Sequence, residues 1–190
     1  QESPVRANMS FRSCNVVGNA GLLQNSSCGR EIDSSSFVFR SNFPPIGGPY
    51  NDDVGKKTNF LTANPSIFAK FYKNLKKNAD KKSLAEDLKR YVRSLVWTHP
   101  FHLKRYSEVT LRAYDATKRY KSPNPVLFSH PKFLRNLTAF WNEHGLKALR
   151  ASTGLALATI AASLCDQVTL YGFWPFPFYR GRALSYHYYE

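Results

Sequence analysis

Residues 14–23 read CNVVGNAGLL, and this stretch decides the fold. A short apolar strand over Asn15–Val17 runs straight into Gly18-Asn19-Ala20-Gly21. A strand that ends in a glycine turn, with a helix able to follow, is how a nucleotide-binding α/β unit opens. The turn is not GxGxxG, so by itself it specifies no dinucleotide.

The same alternation continues outward. Phe37–Phe43 (FVFRSNF) reads as a strand stopped by Pro44-Pro45. A Gly/Pro/Asp loop over 46–57 leads to a strand at Asn59–Ala63. There Asn64-Pro65-Ser66 caps a helix over Ile67–Leu75. The Lys-rich stretch Lys73–Arg93 has a helical core at Leu84 and Leu88 and otherwise reads as a solvated face. Further strands are expected at Ser94–Thr98, Pro125–Ser129 and Val168–Tyr171. Helices are expected at Glu108–Tyr120, at Lys132–His144 with Phe133, Leu137 and Phe140 on one side, and from Ser152-Thr153 to Leu164. Strands alternating with helices predict a Rossmann-type α/β fold, a mostly parallel sheet with helices on both faces. Residues 1–12 read as the end of a linker and 13–190 as one domain. Ligands of such sheets collect at the carboxyl ends of strands. Three polar turns fall there: Gly18-Asn19, Ser41-Asn42 and Gly172-Phe173.

Charge narrows the partners. With 27 Lys+Arg against 13 Asp+Glu, the net charge of +14 favours nucleic acid, anionic lipid, nucleotides or acidic glycans. No aromatic-basic or zinc-finger pattern supports nucleic acid. The longest apolar stretch, 154–165, is too short to span a membrane. Sequons at Asn8, Asn25 and Asn136 lean towards the secretory pathway, where disulfides persist. Of Cys14, Cys28 and Cys165, one is left over from any internal pairing.

The chemistry-bearing candidates are few. The helix start at Ser152-Thr153-Gly154, preceded by Arg150, suits an anion through its free N–H groups and dipole, although without further context it reads more readily as an ordinary N-cap. His99, His102, His130, His144 and His187 make no metal-ligand spacing, and Asp52-Asp53 fits a turn better than a nucleotide-metal motif. No metal site is expected. His187 stands out within Tyr186-His187-Tyr188-Tyr189-Glu190.

Four segments in order carry a resemblance. Cys14–Asn42 resembles the long sialylmotif of the eukaryotic sialyltransferases, glycosyltransferase family 29, and Asp53–Ser66 (DVGKKTNFLTANPS) continues it as in the α-2,8 group. Ser152–Phe176 is similar to the short sialylmotif, and His187–Glu190 (HYYE) resembles the third. The resemblance implies a GT-A-like variant fold and an inverting, metal-independent transfer of sialic acid from CMP-sialic acid to a glycan acceptor, itself sialylated. It places Asn19 and Asn42 on the donor, and Ser152, Thr153 and Gly154 near its carboxylate or ribose. Trp174 falls near the cytidine, and Tyr186 and His187 near the phosphate, where His187 steadies the departing CMP. No cofactor is implied beyond the nucleotide-sugar donor. The resemblance also implies a Cys14–Cys165 bridge and leaves Cys28 waiting for a cysteine near the C-terminus. Ser41 stands where the family usually has an unpaired cysteine. The family's catalytic base, a His in a motif following the third, is expected beyond Glu190, so turnover by these 190 residues alone is expected to be poor or absent. Family members are Golgi-lumenal with an N-terminal type II anchor. With only Arg6 and Arg12 before the long motif, a mono- or oligosialylating enzyme is favoured over a polysialylating one. The alternatives are a catalytically silent CMP-binding protein of this fold and a basic polyanion-binding module.

Overall fold

The computed structural model describes residues 10–100 and 104–190. Six strands form one sheet: β1 (Phe11–Val17), β2 (Phe37–Arg40), β3 (Phe60–Thr62), β4 (Leu95–Thr98), β5 (Val126–Phe128) and β6 (Cys165–Tyr171). They lie in the order β5-β4-β3-β2-β1-β6, and every pairing is parallel. The chain steps outward from β1 to β5, then returns to place β6 on the other flank of β1. That reversal puts a switch point between β1 and β6.

The period of two along each strand explains the layers. Val17, Val38, Leu61, Val96 and Val126 face one core. This core is covered by α1 (Gly29–Ser34), α3 (Pro65–Phe71), α4 (Asn78–Leu88) and α5 (Lys104–Arg119), through Ile32, Phe68, Leu84, Leu88 and Val109. The short α2 (Asn51–Val54) adds Val54. Cys14, Val16, Phe39, Phe60 and Trp97 face the opposite way. There α6 (Pro131–Glu143) supplies Leu137, and α7 (Thr153–Leu164) supplies Ala156, Leu157 and Ala161. Helices on both faces of a parallel sheet are what the alternation predicted. The Lys-rich α4 buries Leu84, Ala85 and Leu88 and turns its lysines outward, as a solvated helix does.

The boundaries differ in instructive ways. β1 begins at Phe11, four residues ahead of expectation, because it pairs with the early part of β6 from Phe11 opposite Cys165. β6 correspondingly starts at Cys165 and not Val168. β2 stops at Arg40, because Asn42 and Phe43 take positive φ of 64° and 53° and turn the chain out of the sheet before Pro44. The helix expected to Leu75 ends at Phe71. Residues 73–75 form a separate turn with Asn74 at φ 60°.

Cys14 and Cys165 are bonded, with Cα atoms 6.0 Å apart on the adjacent strands β1 and β6. Cys28 is a free thiol. Asn25 and Asn136 are exposed, whereas Asn8 and His102 lie outside the described residues. Among the described residues no helix is long and apolar enough to cross a membrane.

Closing a loop of 151 residues stabilises the folded state by about 5 kcal/mol through the entropy of the unfolded chain. Cys14→Ser is therefore expected to lower the unfolding free energy by several kcal/mol, and with it the midpoint, in urea titrations without reductant. An unchanged midpoint would show that the β1–β6 seam holds without its covalent link.

Candidate functional site

The switch point is built by glycine. After β1, Gly18 donates its N–H to Tyr171 O at the end of β6, and Ala20 donates to Gly172 O. A Cβ on Gly18 would stand 2.4 Å from Gly172 O, so only a hydrogen fits where the two strand ends meet. Gly172 itself sits at φ 67°, a left-handed turn that sends the chain away from β6.

From this point a chain of side chains runs along the carboxyl edge of the sheet. Asn19 Nδ2 donates to Ser41 O at 3.0 Å, just past β2. Its Oδ1 is buried with no hydrogen-bond partner among the described residues. Asn42, in its left-handed turn, receives the backbone N–H of Asn64 on Oδ1 at 3.3 Å, while its own N–H reaches Thr62 O at the end of β3. Asn64, the N-cap of α3, meets Thr153 Oγ1 at 3.4 Å. The sequence-expected residues Asn19, Asn42 and Thr153 are thus linked across β1, β2, β3 and the start of α7.

Ser152 is the N-cap of α7, its Oγ accepting the N–H of Leu155 at 3.1 Å. The hydroxyl is committed to capping, which leaves the helix-start N–H groups of Thr153 and Gly154 for an anion. Gly154 is there for a packing reason as well: a Cβ would lie 2.8 Å from the Phe173 ring.

His187 arrives from the C-terminal segment. Its backbone bridges Ala20, and Tyr188 N donates to Asn19 O at 3.0 Å, so HYYE is stitched to the turn after β1. His187 Nδ1 lies 2.5 Å from Glu190 Oε1, and its ring stacks on Tyr189 at 4.9 Å. That hydrogen bond holds the Glu190 carboxyl below its ordinary range. Behind it, Tyr188 is buried, its hydroxyl donating to Pro45 O. Tyr186 is 82% exposed, and Trp174 packs on a small hairpin (β7, Phe178–Tyr179; β8, Arg182–Ala183) with its Nε1 donating to Phe178 O. Neither joins the asparagine chain through a hydrogen bond.

Beside Ser152 and Thr153 opens a cavity of about 880 Å³, of the size that small-molecule sites have. It lies between α6 and the start of α7, over the carboxyl ends of β4 and β5, where His99 and Ser129 line it. Arg135 and Arg150 make its walls basic. His130 caps α6 by accepting the Lys132 N–H on Nδ1. Arg150 is expected from the sequence as part of the helix start, but His99, Ser129, His130 and Arg135 are not, because histidines weighed only for metal spacing give no such signal. A different signal was present: His99 and Ser129-His130 directly follow strands. Asp52 and Asp53 serve the fold, Asp53 accepting the N–H groups of Asn25 and Ser27. Among the described residues no cluster could hold a metal ion.

A parallel sheet with a glycine-closed switch point, a polar carboxyl edge and a basic cavity beside a helix start defines an open α/β protein of the class that takes ligands at the carboxyl ends of its strands. The chain belongs to glycosyltransferase family 29, the sialyltransferases, whose family model matches residues 1–190. It is 43% identical, over its full length, to an alpha-N-acetylneuraminide alpha-2,8-sialyltransferase of Xenopus laevis, spanning 52% of that protein. It is 44% identical, over 95% of its length, to alpha-2,8-sialyltransferase 8F of Mus musculus, spanning 45% of it. The chain therefore spans about half the length of these relatives. A crystal structure of a mammalian sialyltransferase in complex with Gal-beta-1-3GalNAc-ortho-nitrophenol superposes with a TM-score of 0.66 at 25% identity. It covers 95% of this chain and 60% of that one.

Two expectations follow. Gly18→Ala must part the ends of β1 and β6 and should cost about 1–3 kcal/mol in chemical denaturation, as overpacking does. A cost near zero would mean the turn has more room than it presents. In NMR titration the Glu190 carboxyl should titrate below its ordinary value and return towards it in His187→Ala. The contact is thus kept at neutral pH and lost as pH falls through the lowered pKa, and unchanged titration in the variant would remove the pair.

Proposed function

We propose that this chain carries the donor-binding part of an α-2,8-sialyltransferase of the Golgi lumen. The enzyme moves sialic acid from CMP-sialic acid onto a hydroxyl of a sialylated glycan, with inversion and without a metal. The observation that supports it most is the hydrogen-bonded line Asn19–Ser41 and Asn42–Asn64–Thr153, with His187 tied to its first member through the backbone. The relatives named as acting in α-2,8 linkage support the same reading.

In this mechanism the acceptor oxygen forms a bond to the anomeric carbon while the bond from that carbon to the phosphate oxygen breaks. CMP departs with the electron pair. Inversion follows from attack on the face opposite the leaving group. Charge grows on the phosphate, and preorganised donors there favour the transition state over the ground state. Asn19 and Asn42 hold the donor, with Asn19 Oδ1, which has no hydrogen-bond partner among the described residues, as one contact point. The Thr153 and Gly154 N–H groups take its anionic or ribosyl part, Trp174 lies towards the cytidine, and Tyr186 and His187 lie towards the phosphate. His187, oriented by Glu190, steadies the leaving group. The acceptor proton goes to a general base that we assign to no residue of this chain. The basic cavity beside Thr153 suits an acceptor that already carries negative charge.

Calorimetric titration of the protein with CMP, against UMP and AMP at moderate salt, tests the reading. CMP should bind selectively, and Asn42→Ala, by loss of a contact, or Ser152→Ala, by loss of the cap that orders the start of α7, should weaken it about tenfold. Moderate salt suppresses non-specific binding by the lysines of 73–93, which collapses as counterions compete. Equal affinity for the three nucleotides, or none in folded protein, would overturn the donor assignment.

A further inference from the structure

The floor that starts at the Asn64–Thr153 contact continues past the main cavity. Ser66 and Tyr106 line that cavity, and they also line a second recess of about 380 Å³ whose other walls are Ala69, Lys70 and Asn74. The two recesses are therefore neighbours along α3 and share two side chains. From Asn64 to Lys70 the helix advances roughly 9 Å along its axis, a distance on the scale of a disaccharide.

The chemistry of the second recess is consistent along its length. It presents the hydroxyls of Ser66 and Tyr106, the amide of Asn74 and the ammonium of Lys70, with Ala69 the one apolar side chain. Hydroxyl, amide and cation suit a ligand rich in hydroxyls and carrying negative charge. Lys70 is exposed, and among the described residues it forms no salt bridge. Its Nζ lies 5.4 Å from the Phe71 ring. Asn74 is fixed in place by its surroundings: Lys73, Asn74 and Leu75 all have positive φ, Leu75 is fully buried, and Arg112 Nε donates to Asn74 O at 2.9 Å. A turn anchored on both sides presents Asn74 in one position.

We propose that the two recesses are one acceptor groove. The sialyl residue that receives the transfer sits in the main cavity beside Thr153, and the next anionic sugar of the acceptor lies along α3 against Lys70 and Asn74. This deepens the reading given under Proposed function and rests on it. In this arrangement Lys70 and Asn74 set specificity by charge and length of the acceptor, and touch neither the donor nor the reacting atoms.

The test is equilibrium binding of α-2,8-linked disialyl-lactose and of monosialyl-lactose to the 190-residue protein saturated with CMP. Wild type should bind the disialyl glycan more tightly. Lys70→Glu should weaken the disialyl glycan about tenfold, and Asn74→Ala severalfold, while each changes monosialyl-lactose and CMP affinity less than twofold. Unchanged thermal midpoints would confirm that both variants are folded. If wild type binds the two glycans equally, or Lys70→Glu weakens both alike, the groove is not extended to Lys70 and the inference fails with the donor site intact. If CMP does not bind folded wild type, the donor assignment fails and the groove assignment with it.

Discussion

Everything at the carboxyl edge depends on how closely β1 and β6 approach. The two strands are adjacent in the sheet yet stand at opposite ends of the chain, so their contact brings remote sequence together. It is made twice. A disulfide links Cys14 to Cys165 near the start of β6, and hydrogen bonds from Gly18 and Ala20 close the far end against Tyr171 and Gly172. With both ends fixed, the turn after β1 has no freedom to drift. Asn19 is then aimed along the sheet edge, and its carbonyl is available to hold Tyr188.

A second constraint lies under β2. Arg40 is fully buried, with Nε donating to Lys57 O and Thr58 Oγ1, Nη2 donating to Val54 O, and Asp33 at 3.7 Å. Burial pulls its pKa down, with Tyr188, Asp33 and Tyr91 acting the other way. A buried cation needs this number of partners to stay charged. The consequence is mechanical: the loop 54–58 is tied to the strand that ends in Ser41-Asn42, and the tyrosines near the arginine carry HYYE and the 89–91 turn. The edge that holds Asn42 is thereby supported from below.

Much of the fold was legible because the signals were local. The period-two alternation of Val16-Val17, Val38-Phe39 and Phe60-Leu61 assigns each residue to a face, and the caps Asn64 and Ser152 start their helices where expected. What was not legible is non-local or conformational. The positive φ of Asn42 and Phe43 ends β2 early; asparagine tolerates that region, but nothing local announces it for Phe43. The early start of β1 is set by its partner β6, some 150 residues away. At the carboxyl edge, motif resemblance pointed to Asn19, Asn42, Ser152–Gly154 and His187, whereas the cavity residues His99, His130 and Arg135 are joined only by topology.

The seam between β1 and β6 also sets an order of events during folding. β1 can pair with β2 as soon as residue 40 is available, but its other flank stays open until β6 is made. Meanwhile Cys14 has a nearer thiol within reach, Cys28, fourteen residues away, and closing that short loop costs about 2 kcal/mol less entropy than closing the 151-residue one. Early oxidation therefore favours the wrong bridge, and the right one forms by exchange once β6 docks. A chain of this design gains from thiol–disulfide exchange while it folds.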